Sequence, residues 1–189
     1  MRKIKTIFVL ILVTSIWLLP AGQLMVNVSA NVLKPNDEDY RDIYGDSLFY
    51  PELKLGYKVM KDFYLWGGFG YLSAEGITTG DLELESKSTQ TVLSLGIGYN
   101  GKLGKSLDYM LEIGACNFNY KEEAMDMEIS DSAIGFRVDG TLAYCLGKGF
   151  YTGLVVGYMT ASDTIKFEGV NYDIKLGGLK AGIVLGIKL

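Results

Sequence analysis

Histidine is absent from all 189 positions of the chain. The side chain best suited to moving protons near neutral pH is therefore missing, and with it the usual general base of hydrolytic enzymes. Cysteine occurs only at Cys116 and Cys145, and no spacing resembles a zinc site, a phosphate loop or a nucleophile constellation. Basic residues do not dominate either. With 18 Lys and Arg against 22 Asp and Glu, the net charge is −4 and there is no footprint for nucleic acid. Beyond residue 21 no apolar run reaches the length of a membrane-spanning helix. No catalytic residues, metal site or cofactor are expected, and the chain reads as non-enzymatic.

What is present begins with Met1–Lys5, a basic segment, followed by an apolar run over Thr6–Leu19 and then Pro20-Ala21. This is the layout of a secretory signal peptide, expected over residues 1–21. The small-residue rule also permits a cut after Ala30, but that cut would destroy the first strand. The mature domain is expected over residues 22–189.

That domain alternates. From Leu176 to the end, Leu179, Ala181, Ile183, Leu185, Ile187 and Leu189 share one face, while Lys180, Gly182, Val184, Gly186 and Lys188 share the other. Eight such segments are counted: 23–33, 48–59, 63–72, 89–100, 107–119, 132–146, 150–161 and 176–189. Short connections near residues 60, 103 and 148 alternate with longer ones, of which 35–46 reads as an acidic loop. An edge that ends the chain must pair, and pairing with the first segment closes a barrel whose apolar face meets lipid. An even strand number with short periplasmic turns and longer external connections fits an eight-stranded, antiparallel, up-and-down transmembrane β-barrel. Alternation continues in 125–129 and 163–174, so some hairpins are expected to extend beyond the bilayer. Tyr57, Phe63, Tyr99, Tyr109, Tyr144 and Phe150 lie beside the short turns. Phe49, Tyr71, Phe118 and Tyr158 lie near the opposite ends, so two aromatic girdles are expected.

The repeated Leu55-Gly56-Tyr57, Gly68-Phe69-Gly70-Tyr71, Gly96-Ile97-Gly98-Tyr99 and Gly157-Tyr158 resemble small outer-membrane barrels of the OmpA/OmpX/OmpW-like superfamily. The closing stretch, with Lys180, Gly182, Leu185, Ile187 and Leu189, resembles the C-terminal signal read by the outer-membrane insertion machinery, although members usually end in Phe. The resemblance implies a monomer in the outer membrane of a Gram-negative-type bacterium, in contact with lipid and lipopolysaccharide. In OmpW-like members it also implies an apolar pocket opening sideways near the external end, for which Tyr64, Trp66, Met110 and Met159 are the inward candidates. No peptidoglycan-binding module is expected beyond Leu189.

Glu52, Lys54, Glu112, Arg137, Asp139 and Lys180 fall inward on different strands. An eight-stranded barrel is only wide enough for side chains to fill, so these charges must pair, as a structural plug or as a gate. Cys116 and Cys145 sit too far apart along their strands for a disulfide. Carboxylates crowd the external connections: Asp37, Glu38, Asp39, Asp42 and Asp46, then Asp81, Glu83 and Glu85, then Glu122, Glu123, Asp126, Glu128 and Asp131. They suit a solvated surface, or divalent cations. Three roles stay open: envelope integrity or surface interaction around a filled lumen; a narrow channel or transporter for ions or small hydrophobic molecules; and an adhesin acting through the acidic loops.

Overall fold

The computed structural model describes residues 24–78, 84–124, 127–167 and 170–189. The expected signal segment, Asp81, Glu83 and Asp126 lie outside the described residues. Strands β1 (Leu24–Pro35), β2 (Leu48–Lys58), β3 (Phe63–Ile77), β4 (Glu85–Lys102), β5 (Leu107–Ala124), β6 (Met127–Gly147), β7 (Phe150–Phe167) and β8 (Val170–Lys188) form one closed antiparallel barrel in chain order. Closure comes from β8 on β1, with Met25 opposite Lys188 and Pro35 opposite Gly178. The C-terminal alternation thus meets the N-terminal one.

Period-two alternation decides which side chains face which medium. Val28, Leu53, Leu95, Ile113, Phe136 and Ile183 stand exposed on the outer wall, while Tyr50, Trp66, Val92 and Met159 are buried inside. The outward apolar band runs from Phe49 to Tyr57 on β2 and from Leu24 to Val32 on β1. These lengths suit the about 9–11 residues that a tilted strand needs to cross hydrocarbon. On β5 the outward row changes from Tyr109, Leu111, Ile113 and Ala115 to Asn117, Asn119 and Lys121, which marks the external interface. Phe63 packs edge-on against Tyr99, and Tyr99 packs against Tyr109, within the girdle beside the short turns. Phe118 departs from the expected external girdle. It falls on the inward parity of β5 with Cys116, and it is completely buried.

The external half holds one further difference and one expectation that is met. First, the expected acidic loop over 35–46 contains a helix, α1 (Glu38–Tyr44). Asp37 caps it by accepting the Tyr40 amide at 3.1 Å, and Glu38 and Asp39 favour the positive end of the helix dipole. Tyr40, Ile43 and Tyr44 recur at helical spacing and pack down on the barrel mouth. Gly76 on β3 lets α1 approach, because a Cβ there would strike the backbone carbonyl of Ile43. Second, the hairpins expected to outrun the bilayer from the alternation in 125–129 and 163–174 do so as paired strand. β6 reaches 21 residues, and β5 pairs with it as far as Ala124 opposite Met127. The hairpin of β7 and β8 likewise extends to Phe167 opposite Val170.

The interior is layered. Met25, Tyr64 and Trp66, and separately Met110, Ala143 and Tyr151, fill the end near the short turns. Leu33, Tyr50, Leu72, Val92, Phe118, Met159 and Leu176 fill the external end, capped by Tyr40 and Ile43 of α1. Charges lie between these layers.

Candidate functional site

The charged layer is built from spacing two along a strand. Glu52 and Lys54 on β2 share the inward face, as do Arg137 and Asp139 on β6; β5 adds Glu112 and β8 adds Lys180. All six are buried, Arg137 and Lys180 completely. Arg137 grips Glu52 with both terminal guanidinium nitrogens, Nη1 and Nη2, also meets Asp139, and donates to Ser94 Oγ at 3.1 Å. Lys54 Nζ lies 2.5 Å from Glu112 and 2.7 Å from Asp139. Lys180 Nζ lies 2.8 Å from Glu52 and 3.2 Å from Asp139. Three cations balance three anions, so the layer is neutral.

Aromatic and hydroxyl groups hold this layer in place. Tyr64 donates to the second oxygen of Glu112 at 2.9 Å. The Trp66 ring lies 5.2 Å from Lys54 Nζ and 5.1 Å from the Arg137 guanidinium carbon, a cation–π contact to each. Its indole N–H donates to the Ile97 carbonyl at 3.0 Å. Sequence reasoning missed Ser94 and Tyr50 as members of this neighbourhood, with Lys180 5.7 Å from the Tyr50 ring. Their inward parity on β4 and β2 was the available signal. A desolvated charge without a partner is very costly, so this arrangement opposes any opening that separates its ions.

The four residues proposed for one apolar pocket are not brought together. Tyr64 and Trp66 pack with Met25, Met110 packs with Ala143 and Tyr151, and Met159 lies in the external cluster across the charged layer. Parity put all four inward, but their heights along the barrel differ. A different apolar chamber of about 510 Å³ sits at the external mouth, with Ile43, Tyr44, Met127, Ile129, Tyr172 and Ile174 in its wall. Glu122 belongs to that wall and accepts from Tyr44 Oη at 2.5 Å. Burial holds the Glu122 carboxyl above the ordinary carboxylate range, against the lowering effect of the hydrogen bond from Tyr44. Asp37 also accepts the Lys175 amide at 3.1 Å, which ties α1 to β8.

The external carboxylates are spread out. Glu38 and Asp46 take Arg41, Glu123 and Glu128 take Lys121, and Glu75 takes Lys87. Among the described residues no three acidic side chains converge as a cation cage. Cys116 lies opposite Gly135, whereas Cys145 lies opposite Tyr151 toward the other end of β6, and both are free thiols. Of the C-terminal motif, Gly182, Leu185, Ile187 and Leu189 belong to the closing seam, where the Leu189 amide donates to the Leu24 carbonyl at 2.8 Å. Lys180 belongs to the charged layer.

A closed antiparallel barrel with an apolar belt, an aromatic girdle and a filled lumen is a transmembrane β-barrel. No protein-family model and no curated protein matches the chain. Among solved structures, outer membrane protein OprG of Pseudomonas aeruginosa is similar over 90% of this chain and 97% of its own, with TM-score 0.70 and 13% identity. Ail, the attachment invasion locus protein of Yersinia pestis, is similar over 89% and 100%, with TM-score 0.53 and 13% identity. Outer membrane protein W of Escherichia coli is similar over 89% and 98%, with TM-score 0.51 and 12% identity. The fold is that of the small bacterial outer-membrane barrels.

Proposed function

We propose that this chain is a non-enzymatic, monomeric outer-membrane protein, exported behind a cleaved signal over residues 1–21. Its barrel is a non-conducting anchor, and its working surface is the part above the membrane. The observation that carries this reading is the sealed lumen: a neutral, buried layer of six paired charges lies under an apolar cluster and α1. Ion passage through that layer requires separating buried pairs, which costs several kcal/mol per ion. The strands that outrun the bilayer build a paired surface above it, as befits a surface-interaction role.

The test is single-channel recording on refolded protein that shows the heat-dependent gel shift of a folded barrel. Silence is the expected result. Discrete conductance steps that vanish in Arg137→Met would make the lumen a path and overturn the anchor reading. A second reading, capture of small hydrophobic molecules, is favoured by the apolar chamber at the mouth. Saturable uptake of a small hydrocarbon into vesicles carrying the barrel would promote it.

A further inference from the structure

Above the membrane the barrel does not stay closed. Pairing between β6 and β7 runs from the short turn only as far as Gly135 opposite Ala161. Beyond that level, residues 127–134 of β6 remain paired with β5, from Ile134 opposite Asn117 to Met127 opposite Ala124. Residues 162–167 of β7 leave with β8 as a separate hairpin, from Ser162 opposite Lys175 to Phe167 opposite Val170. Among the described residues, β6 therefore has one paired side and one unpaired side over about 26 Å of strand. The stretch Met127–Ile134 contains neither lysine nor proline, and its only charges, Glu128 and Asp131, are acidic, so the edge is guarded against acidic segments and not against basic ones.

We propose that this edge of β6 is a docking site for an extended peptide segment of a partner protein, which joins the sheet as an added strand. Backbone hydrogen bonds supply the affinity in such addition, and alternate side chains supply the selectivity. Met127 and Ile129 stand in the wall of the 510 Å³ chamber, so alternate residues of an added strand reach apolar surface there. The intervening residues emerge on the outer face beside Glu128, Ser130 and Ser132. Glu122, Glu123, Glu128 and Asp131 lie on the two strands nearest the edge, and Lys121 is already engaged by Glu123 and Glu128. The complementary segment alternates apolar with basic residues.

A second copy does not fit this role. Barrel strands tilt by about 35–45° from the membrane normal, so a two-fold axis along that normal makes two β6 edges cross at about 70–90°. Crossed strands cannot pair over this length. A soluble partner approaching from outside is free of that constraint.

The inference rests on the surface-interaction reading. The probe is a synthetic peptide of four Lys-Val repeats, added to the intact barrel in lipid nanodiscs. It is expected to slow amide exchange at alternate residues within 127–134. The same peptide N-methylated at every second residue keeps charge and apolarity but loses one row of donors, and its affinity should fall at least tenfold. Ser132→Cys combined with Thr164→Cys, oxidised after folding, ties β6 to β7 across the cleft. This cross-link should lower affinity at least tenfold, and reductant should restore it. Equal binding of the N-methylated peptide, or equal binding to the cross-linked barrel, would reduce the effect to charge attraction and overturn the proposal. So would slow exchange throughout 127–134 without peptide. These results leave the sealed lumen untouched, whereas conductance would overturn the anchor reading without bearing on the edge.

Discussion

Within the apolar belt β6 and β7 each have a hydrogen-bonded neighbour on both sides, whereas above Gly135 and Ala161 they part company. The same contrast holds for charge. Arg137 is fully buried and meets three partners inside the barrel, while Lys121 is 39% exposed and pairs with two surface carboxylates. Both contrasts follow from the surrounding medium. Hydrocarbon offers no partner for a backbone amide, so the sheet must close on itself there. Water satisfies an edge amide and screens a surface ion pair, so neither closure nor strict pairing is required above the bilayer.

The most severe way to break this comparison is Arg137→Met, which leaves Glu52 and Asp139 with one cation fewer inside the lumen. A loss of about 3–5 kcal/mol is expected in denaturant unfolding followed by the gel shift. Adding Glu52→Gln restores neutrality among Lys54, Lys180, Glu112 and Asp139 and should recover most of that loss. Fully additive losses in this pair would mean that the layer is not coupled.

The belt supplies the next test. Leu95 is 69% exposed on the outer wall and faces hydrocarbon, so Leu95→Arg should cost about 2–4 kcal/mol by the same unfolding measurement. At the mouth, Tyr44→Phe removes the bond to Glu122 and should loosen α1 by about 1 kcal/mol. Amide exchange over 38–44 should report this change without a shift in global unfolding.

A pH test sharpens the same contact. Glu122 holds its proton above the ordinary 4.5 in the folded state. The folded form therefore binds more protons than the unfolded form over that window. This contribution is complete below the ordinary carboxylate value and declines as pH rises through the raised one. Exchange over 38–44, corrected for its intrinsic pH dependence, should be better protected at pH 4 than at pH 7, and Glu122→Gln should remove the difference. The smallest effect belongs to Ile129→Arg above the membrane, expected within about 0.5 kcal/mol although the chemical change matches that at Leu95. A cost at Ile129 equal to that at Leu95 would erase the distinction between the two halves.

The barrel itself was legible because period-two alternation, eight times over, leaves few alternatives once the chain must satisfy its backbone in lipid. The six lumen charges were legible for the same reason, since parity alone turns Glu52, Lys54, Glu112, Arg137, Asp139 and Lys180 inward. Parity also contained the answer for Phe118, which shares its face with Cys116. It was insufficient for Tyr64, Trp66, Met110 and Met159, because the face of a side chain does not state its height. α1 was hidden by its seven-residue length and acidic composition, although Asp37 as a cap and the spacing of Tyr40, Ile43 and Tyr44 were visible.

The sequence alone determined which side chains meet lipid and which meet the lumen, because alternation is a local property of each strand. It also turned Glu52, Lys54, Glu112, Arg137, Asp139 and Lys180 inward, three of each sign. Register was decided only by the tertiary structure, because it depends on how all eight strands shear when the sheet closes. Register chose which cation met which anion, split the four apolar candidates between two layers, and ended the pairing of β6 with β7 at Gly135. The free edge above that point follows from the positions of two strands together.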